Sequence, residues 1–106
     1  MATEPLTETV FLILLSLART PQHGYAILKD VEELSGGRVK FSTGTLYGAL
    51  ARLLDMGWIR MVEESGNRGR RDYALTDSGR AALDSEMGRM RGLLASAGRW
   101  ITEGGA

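Results

Sequence analysis

The chain predicts a mainly α fold with one small β-hairpin: three short helices, two strands and a long closing helix, in that order. Three observations carry this reading. Apolar residues recur at helical spacing over residues 7–19, 25–34 and 43–54. A glycine- and arginine-rich turn, Gly66-Asn67-Arg68-Gly69-Arg70-Arg71, separates two short strand-like runs. Last, Leu83, Met87, Met90, Leu94, Ala97 and Ile101 recur at spacings of 4, 3, 4, 3 and 4, the a/d seam of a helix that pairs with another.

Helix α1 is expected from about Thr7 to Arg19. Val10, Phe11, Leu12, Ile13, Leu14, Leu15, Leu17 and Ala18 cover nearly its whole circumference. A helix apolar on all sides is buried on more than one side, so part of it is expected to meet a second chain. Thr20-Pro21-Gln22-His23-Gly24 breaks it. Helix α2 follows over Tyr25 to Leu34, with Ile27, Leu28, Val31 and Leu34 inward, and Gly36-Gly37 supplies the positive φ of a C-terminal cap. After the extended Arg38-Val39-Lys40-Phe41, Ser42 or Thr43 caps helix α3. Its inward stripe is Leu46, Leu50, Leu53 and Leu54. Its opposite arc carries Gly44, Thr45, Gly48, Ala51, Arg52 and Asp55, mostly small residues that permit close approach to a duplex. Gly57 stops it. Strand β1 is expected over Trp58 to Glu63 and β2 over Arg71 to Leu75, with Gly66–Gly69 at the tip. Thr76 then caps helix α4, which continues to about Thr102.

Such an order offers a rod that fits a DNA major groove beside a cationic finger that reaches phosphate or a minor groove. Charge supports this. The 106 residues carry no net charge, yet residues 1–37 balance at −3, residues 38–71 at +4 and residues 72–106 at −1. Local field, more than the total, governs encounter with a polyanion. Eleven of the 13 cations are Arg, which suits bidentate contact with phosphate or guanine.

Other chemistry finds little to work with. The absence of cysteine removes disulfides, thiolate metal sites and cysteine nucleophiles. The lone His23 lies beside a glycine in a helix-entry motif, where it is expected to help capping or to meet backbone phosphate, and no H-E-x-x-H, P-loop or dinucleotide signature occurs. No enzyme activity, metal or cofactor is expected. Neither a secretory pattern nor an apolar run of roughly 20 residues is present, so a cytoplasmic protein without membrane association is expected.

Helix α4 implies a dimer. Its ~27 residues span roughly 40 Å, whereas a body of about 75 residues is only near 30 Å across. Part of the seam therefore protrudes, and Gly88, Gly92 and Gly98 each cost about 1 kcal/mol in a helix interior relative to Ala. A twofold dimer joined through Leu83, Met87, Met90, Leu94, Ala97 and Ile101, with α1 alongside, is the expected assembly.

Four motifs in order resemble the PadR family of bacterial transcription regulators: His23-Gly24-Tyr25, Ser42-x-Gly44-Thr45-Leu46-Tyr47, Gly69-Arg70-Arg71-x-Tyr73 and Leu75-Thr76-x-x-Gly79. Residues 9 to about 83 follow the pattern. The resemblance implies a winged helix-turn-helix with a C-terminal dimerisation region. Residues 1–76 would be the DNA-binding domain, and residues 77–106 a dimerisation helix packed with α1, as in the short subfamily. One departure is Gly48, where many members carry proline after the tyrosine.

Candidate DNA-binding residues are Tyr25, Ser42, Thr43, Gly44, Thr45, Tyr47, Arg52, Arg68, Arg70 and Arg71. Each has a plainer use: Tyr25 and Tyr47 in packing, one of the hydroxyls in capping, Arg52 in pairing with Asp55, Arg71 in a bond across the hairpin. Trp100 flanks the seam one heptad after Leu93. In a dimer two such indoles could sandwich a flat aromatic molecule, or simply pack. The resemblance implies sensing of phenolic or planar compounds. Phe11, Leu15, Met90, Leu93, Ala97 and Trp100 are the candidate walls. The leading reading is a dimeric, sequence-specific repressor on double-stranded operator DNA, responsive to such a ligand. The rival is a winged-helix adaptor that docks another protein and has lost DNA binding.

Overall fold

Side chains that satisfy orphan backbone N–H groups set where each helix starts. In the computed structural model, which describes residues 5–63 and 71–104, the order is α1 (Glu8–Arg19), α2 (Gly24–Leu34), α3 (Thr43–Asp55), β1 (Ile59–Glu63), β2 (Arg71–Leu75) and α4 (Asp77–Gly104). Thr7 caps α1 by accepting from the Val10 N–H. His23 Nδ1 accepts from Ala26 N–H at 3.1 Å and so caps α2. Ser42 Oγ accepts from Thr45 N–H and caps α3. Beyond α2, Gly36 and Gly37 have φ of 65° and 83° and return their N–H groups to the Glu33 and Glu32 carbonyls, closing the helix end as the two glycines predict.

The inward stripes meet in one core. Leu12, Ile13, Leu14 and Leu17 of α1 pack with Ile27 and Val31 of α2 and with Leu46, Ala49, Leu50 and Leu53 of α3; Ile59 and Leu83 complete the cluster. Leu54, expected inward, is only half-buried, and Ala49 takes a buried place on that face. Helix α1 is covered more fully than its composition predicts. Helices α2 and α4 and strand β2 of the same chain surround it, and its apolar residues are all buried or half-buried. Its all-round hydrophobicity is thus largely accounted for without a second chain.

The hairpin is antiparallel, with Ile59 opposite Leu75 and Met61 opposite Tyr73. A contact that the sequence does not announce extends it. Gln22, in the turn between α1 and α2, bridges Tyr73 through two backbone hydrogen bonds of 3.0 and 2.8 Å. Its buried side chain donates to the Ser16 carbonyl, the Ser16 hydroxyl and Asp30 Oδ2, each at 2.9 Å. Ser16 in turn donates to Asp30, which also pairs with Arg19. Near the N-terminus Glu8 pairs with Arg38, which lowers the carboxyl's pKa and raises that of the guanidinium.

Helix α4 is joined to the hairpin by Thr76. Its hydroxyl accepts from Gly79 N–H and donates to the Gly57 carbonyl at 2.6 Å, while its N–H bonds the Trp58 carbonyl. Gly79 lies so close to β1 that a Cβ there would stand 2.0 Å from the Trp58 carbonyl oxygen. Leu83, placed by the heptad count on a seam between copies, lies instead in the chain's own core at 2% exposure. Met87 packs against that core. Glu86, one turn on and nearly enclosed, accepts from Arg89 Nε and Nη2 and from the Leu6 N–H. Beyond Met90 every described residue of α4 is exposed, and the molecule measures 63 × 32 × 21 Å.

Two outcomes follow from this packing. Gly79→Ala forces the backbone apart against a helix-propensity gain of only ~1 kcal/mol, so a net loss of about 2 kcal/mol is expected in urea unfolding. The Arg89 hydrogen bonds lower the Glu86 pKa, so their stabilisation holds above the ordinary carboxylate value of 4.5 and fades as pH falls through the depressed one. The thermal midpoint of the wild type is therefore expected to fall more steeply in that acid range than that of Glu86→Gln; parallel curves would refute the linkage.

Candidate nucleic-acid interface

The exposed arc of α3 is built by subtraction: once Leu46, Ala49, Leu50 and Leu53 face the core, the helical period turns Gly44, Gly48, Ala51 and Asp55 to the opposite side. Thr43, Gly44, Thr45, Tyr47, Gly48, Ala51 and Arg52 are all exposed. Of the three hydroxyls at the helix start, Ser42 is consumed locally. It accepts from Thr45 N–H and donates to Thr45 Oγ1 at 3.0 Å. The Thr45 proton is thereby left to donate outward, and Thr43 is bonded to no side chain among the described residues. Both sit at the positive end of the α3 dipole, where backbone N–H groups also favour an anion.

Tyr47 stands at the edge of this arc and is 49% exposed. Its phenol lies over the start of α2, so that a Cβ on Gly24 would stand 2.4 Å from the Tyr47 oxygen. The glycine of the His23-Gly24-Tyr25 motif and the tyrosine of the α3 motif are thus two halves of one contact. Tyr73 belongs to the same corner: burial raises its pKa, the neighbouring Tyr47 adds to the rise, and Arg71 opposes it. Tyr25 is 66% exposed on the first turn of α2. Lys29, one turn later, places its ammonium 5.7 Å from the centre of the Tyr25 ring.

The cations divide into two sets. Arg19, Arg38, Arg80 and Arg89 are ion-paired, within the body or along α4. Among the described residues Lys29, Lys40, Arg52, Arg60, Arg71, Arg91 and Arg99 have no carboxylate partner. Arg91 and Arg99 stand on the projecting part of α4, and the other five belong to α2, α3, the connector before it or the hairpin. The Arg71 side chain reaches across the hairpin to the Met61 sulfur, at 3.9 Å. Arg52 does not pair with Asp55; it lies on the flank of α3 that borders a cavity toward α4. Arg68, Arg70 and the Gly66–Gly69 tip lie outside the described residues. Sequence reasoning passed over Lys29 and Arg60. The four-residue spacing from Tyr25 could have marked Lys29, and the alternation of β1, which turns Arg60 away from buried Ile59, could have marked Arg60.

The candidate ligand walls do not form one enclosure within a single chain. Phe11 and Leu15 are half-buried against the core, Met90 is half-buried on α4, and Leu93, Ala97 and Trp100 are exposed, Trp100 at 81%. No cluster of three or more metal-ligating side chains occurs among the described residues, nor any described helix long and apolar enough to cross a membrane.

This geometry has relatives. The profile of the transcriptional regulator PadR-like family matches residues 13–85. The chain is 44% identical over 88 residues, 80% of its length, to an uncharacterised 37.1 kDa protein in transposon TN4556 of Streptomyces fradiae. It is 35% identical over 77 residues, 73% of its length, to the transcriptional regulator YqjI of Escherichia coli. It spans only 24% and 36% of the lengths of those two proteins. Among solved structures, a PadR family transcription regulator from Clostridium difficile superposes with a TM-score of 0.73 at 26% identity, covering 90% of this chain and 99% of that one. Bacillus subtilis PadR, solved in complex with operator DNA, gives 0.65 at 27% identity, covering 79% of this chain and 48% of that one. A hairpin docked beside a capped, outward-facing α3, the Gly24–Tyr47 and Thr76–Gly79 contacts and these matches together place the chain in the PadR-like family of transcriptional regulators, winged-helix proteins that are not enzymes.

Proposed function

We propose that the chain is a homodimeric, sequence-specific repressor whose two α3 helices enter successive major grooves of a near-palindromic operator, about 34–36 Å apart. The observation that carries this reading is the exposed arc of α3: small residues, threonine hydroxyls with protons left to donate and a half-exposed tyrosine, bordered by cations that no described carboxylate neutralises. Thr43, Thr45, Tyr47 and Tyr25 are assigned to phosphate or base edges, with Ser42 as the cap that orients them and Gly44 as the point of close approach. Arg68, Arg70 and Arg71 hold flanking phosphate or the minor groove, and Lys29 and Arg60 add to the same field. The operator complex of the Bacillus subtilis relative supports the reading.

Dimerisation uses the distal part of α4. Leu94 and Ile101 are 73% and 71% exposed on the seam, and a Cβ at Gly88, Gly92 or Gly98 would meet nothing within 4 Å. An apolar strip of this kind on a projecting helix is stable when a second helix covers it. Met87, Met90 and Ala97 belong to the strip, while Leu83 stays with its own core. Trp100 beside the twofold axis would present two indoles to a planar aromatic effector, with Phe11, Leu15 and Leu93 nearby.

If about six phosphates are neutralised, log K should fall against log salt with a slope near −5, and each lost wing contact should flatten it by about 0.9. Replacing Arg68, Arg70 and Arg71 by Ala is expected to weaken binding to all sequences and to flatten the slope in a gel-shift or anisotropy titration. An unchanged slope would remove the wing from the interface. Sedimentation at micromolar concentration is expected to show a dimer for the wild type and a monomer for a Leu94→Glu, Ile101→Glu variant.

A further inference from the structure

The register of the hairpin sets Met61 opposite Tyr73 and Glu63 opposite Arg71, so strand alternation brings Met61, Tyr73 and Arg71 onto one face of the two strands. Met61 and Arg71 are diagonal neighbours there, a separation that long side chains can span. Arg71 Nη1 donates to the Met61 sulfur at 3.9 Å. A thioether is a weak acceptor, so this contact ties the guanidinium only loosely. The sequence holds no cysteine, which leaves its thioethers as the groups most readily oxidised by an oxygen-atom donor. Met87 and Met90 are partly covered on α4, whereas Met56 and Met61 are 53% and 46% exposed and thus equally open to a small oxidant. Of those two, Met61 alone has a hydrogen-bond donor at its sulfur among the described residues.

We propose that Met61 is an oxidation site whose sulfoxide captures Arg71 and withdraws it from DNA. The oxidant is hydrogen peroxide. A sulfur lone pair attacks one peroxide oxygen, and the S–O bond forms as the O–O bond breaks. The departing hydroxide takes the proton of the transferred hydroxyl and leaves as water. Sulfur loses two electrons and the peroxide gains them. The Arg71 guanidinium, already at the sulfur, donates to the oxygen that arrives there, which carries partial negative charge in the sulfoxide. A weak N–H···S contact becomes a hydrogen bond between a cation and a strongly polar oxygen, and Arg71 is held on the hairpin face. Methionine sulfoxide reductase restores the thioether, so the change is reversible. The effect on DNA rests on the wing assignment proposed above; the oxidation and the capture of Arg71 do not.

The full chain is treated with hydrogen peroxide in the absence of DNA, and the gain of one oxygen at each methionine is followed by peptide mass mapping. Met61 is expected to oxidise roughly threefold faster than Met56, as one net hydrogen bond to the arriving oxygen allows, and the two rates should converge in Arg71→Gln. Phenylglyoxal, which attacks accessible guanidinium groups, should then modify Arg71 several times more slowly in the oxidised chain than in the reduced one, with Arg60 unchanged as the internal reference. DNA binding is measured on a duplex selected from a random library by the reduced protein. Oxidation should weaken that binding about tenfold and flatten its salt slope by about 0.9, as loss of one cationic contact requires. Met61→Leu should keep its affinity through the same treatment, and methionine sulfoxide reductase should restore the wild type. The proposal is overturned if Met61 oxidises no faster than Met56, if Arg71→Gln leaves the rates unchanged, or if Arg71 stays fully reactive in the oxidised chain. It is equally overturned if oxidation leaves DNA affinity untouched or weakens Met61→Leu to the same extent. Absence of DNA binding before any oxidation refutes the repressor, while mass mapping and phenylglyoxal protection still decide whether the Met61 sulfoxide holds Arg71.

Discussion

The fold hangs on Gln22. A two-stranded hairpin is marginal by itself in water, and here it gains a third partner where the Gln22 backbone bonds both ways to Tyr73. The same residue fixes the angle between α1 and α2. Its buried amide reaches the Ser16 carbonyl and hydroxyl and the Asp30 carboxylate, so the polar groups in the cleft between two apolar helices satisfy one another. One side chain and one peptide unit thus couple the first helix, the second helix and the wing. Loss of the amide would remove the donor shared by Ser16 and Asp30 in a partly buried cleft, leaving them only each other and Arg19.

Around that joint the family motifs read as contacts rather than as signatures. His23 caps α2, and Gly24 leaves the space that the Tyr47 phenol fills, so the positions of α2 and α3 are set against each other at their N-termini. Tyr73 brings the hairpin to the same corner. The departure at Gly48 leaves the start of α3 intact, because Ser42 and Thr45 already hold the first turn and Tyr47 is braced by α2 rather than by its neighbour in sequence. Thr76 performs the corresponding task at the other end. It caps α4, bonds back to Gly57 and seats Gly79 against the Trp58 carbonyl.

Helix α4 changes character along its length. Its first turns are part of the core through Gly79, Leu83 and Glu86, and its remainder stands in solvent with Leu93, Leu94, Trp100 and Ile101 uncovered. A continuous heptad count runs across this boundary without marking it. The count is set by the helical period alone, whereas burial depends on where the body of the domain ends. That boundary also explains why Leu83 could be taken for a seam residue: core and seam use the same spacing and the same residue types.

Local chemistry made most of the architecture legible. Caps at Thr7, Ser42 and Thr76, stops at Gly36-Gly37 and Gly57, and the inward leucines of α3 each act over one or two turns, so sequence alone places the elements to within a residue or so. The outward arc of α3 followed from the same period. What tertiary structure decided was everything carried by pairs distant in sequence. Gln22 reads as a turn residue until Tyr73 lies beside it. Arg52 reads as facing a groove or pairing with Asp55. The folded chain leaves it exposed and without a carboxylate partner among the described residues, on a flank of α3 that borders a cavity lined also by α1 and α4. The covering of α1 by its own chain belongs to the same class. A residue's short-range role is written in its neighbours along the chain; its long-range role depends on which surfaces the folded core brings within hydrogen-bonding distance, and no local pattern encodes that distance.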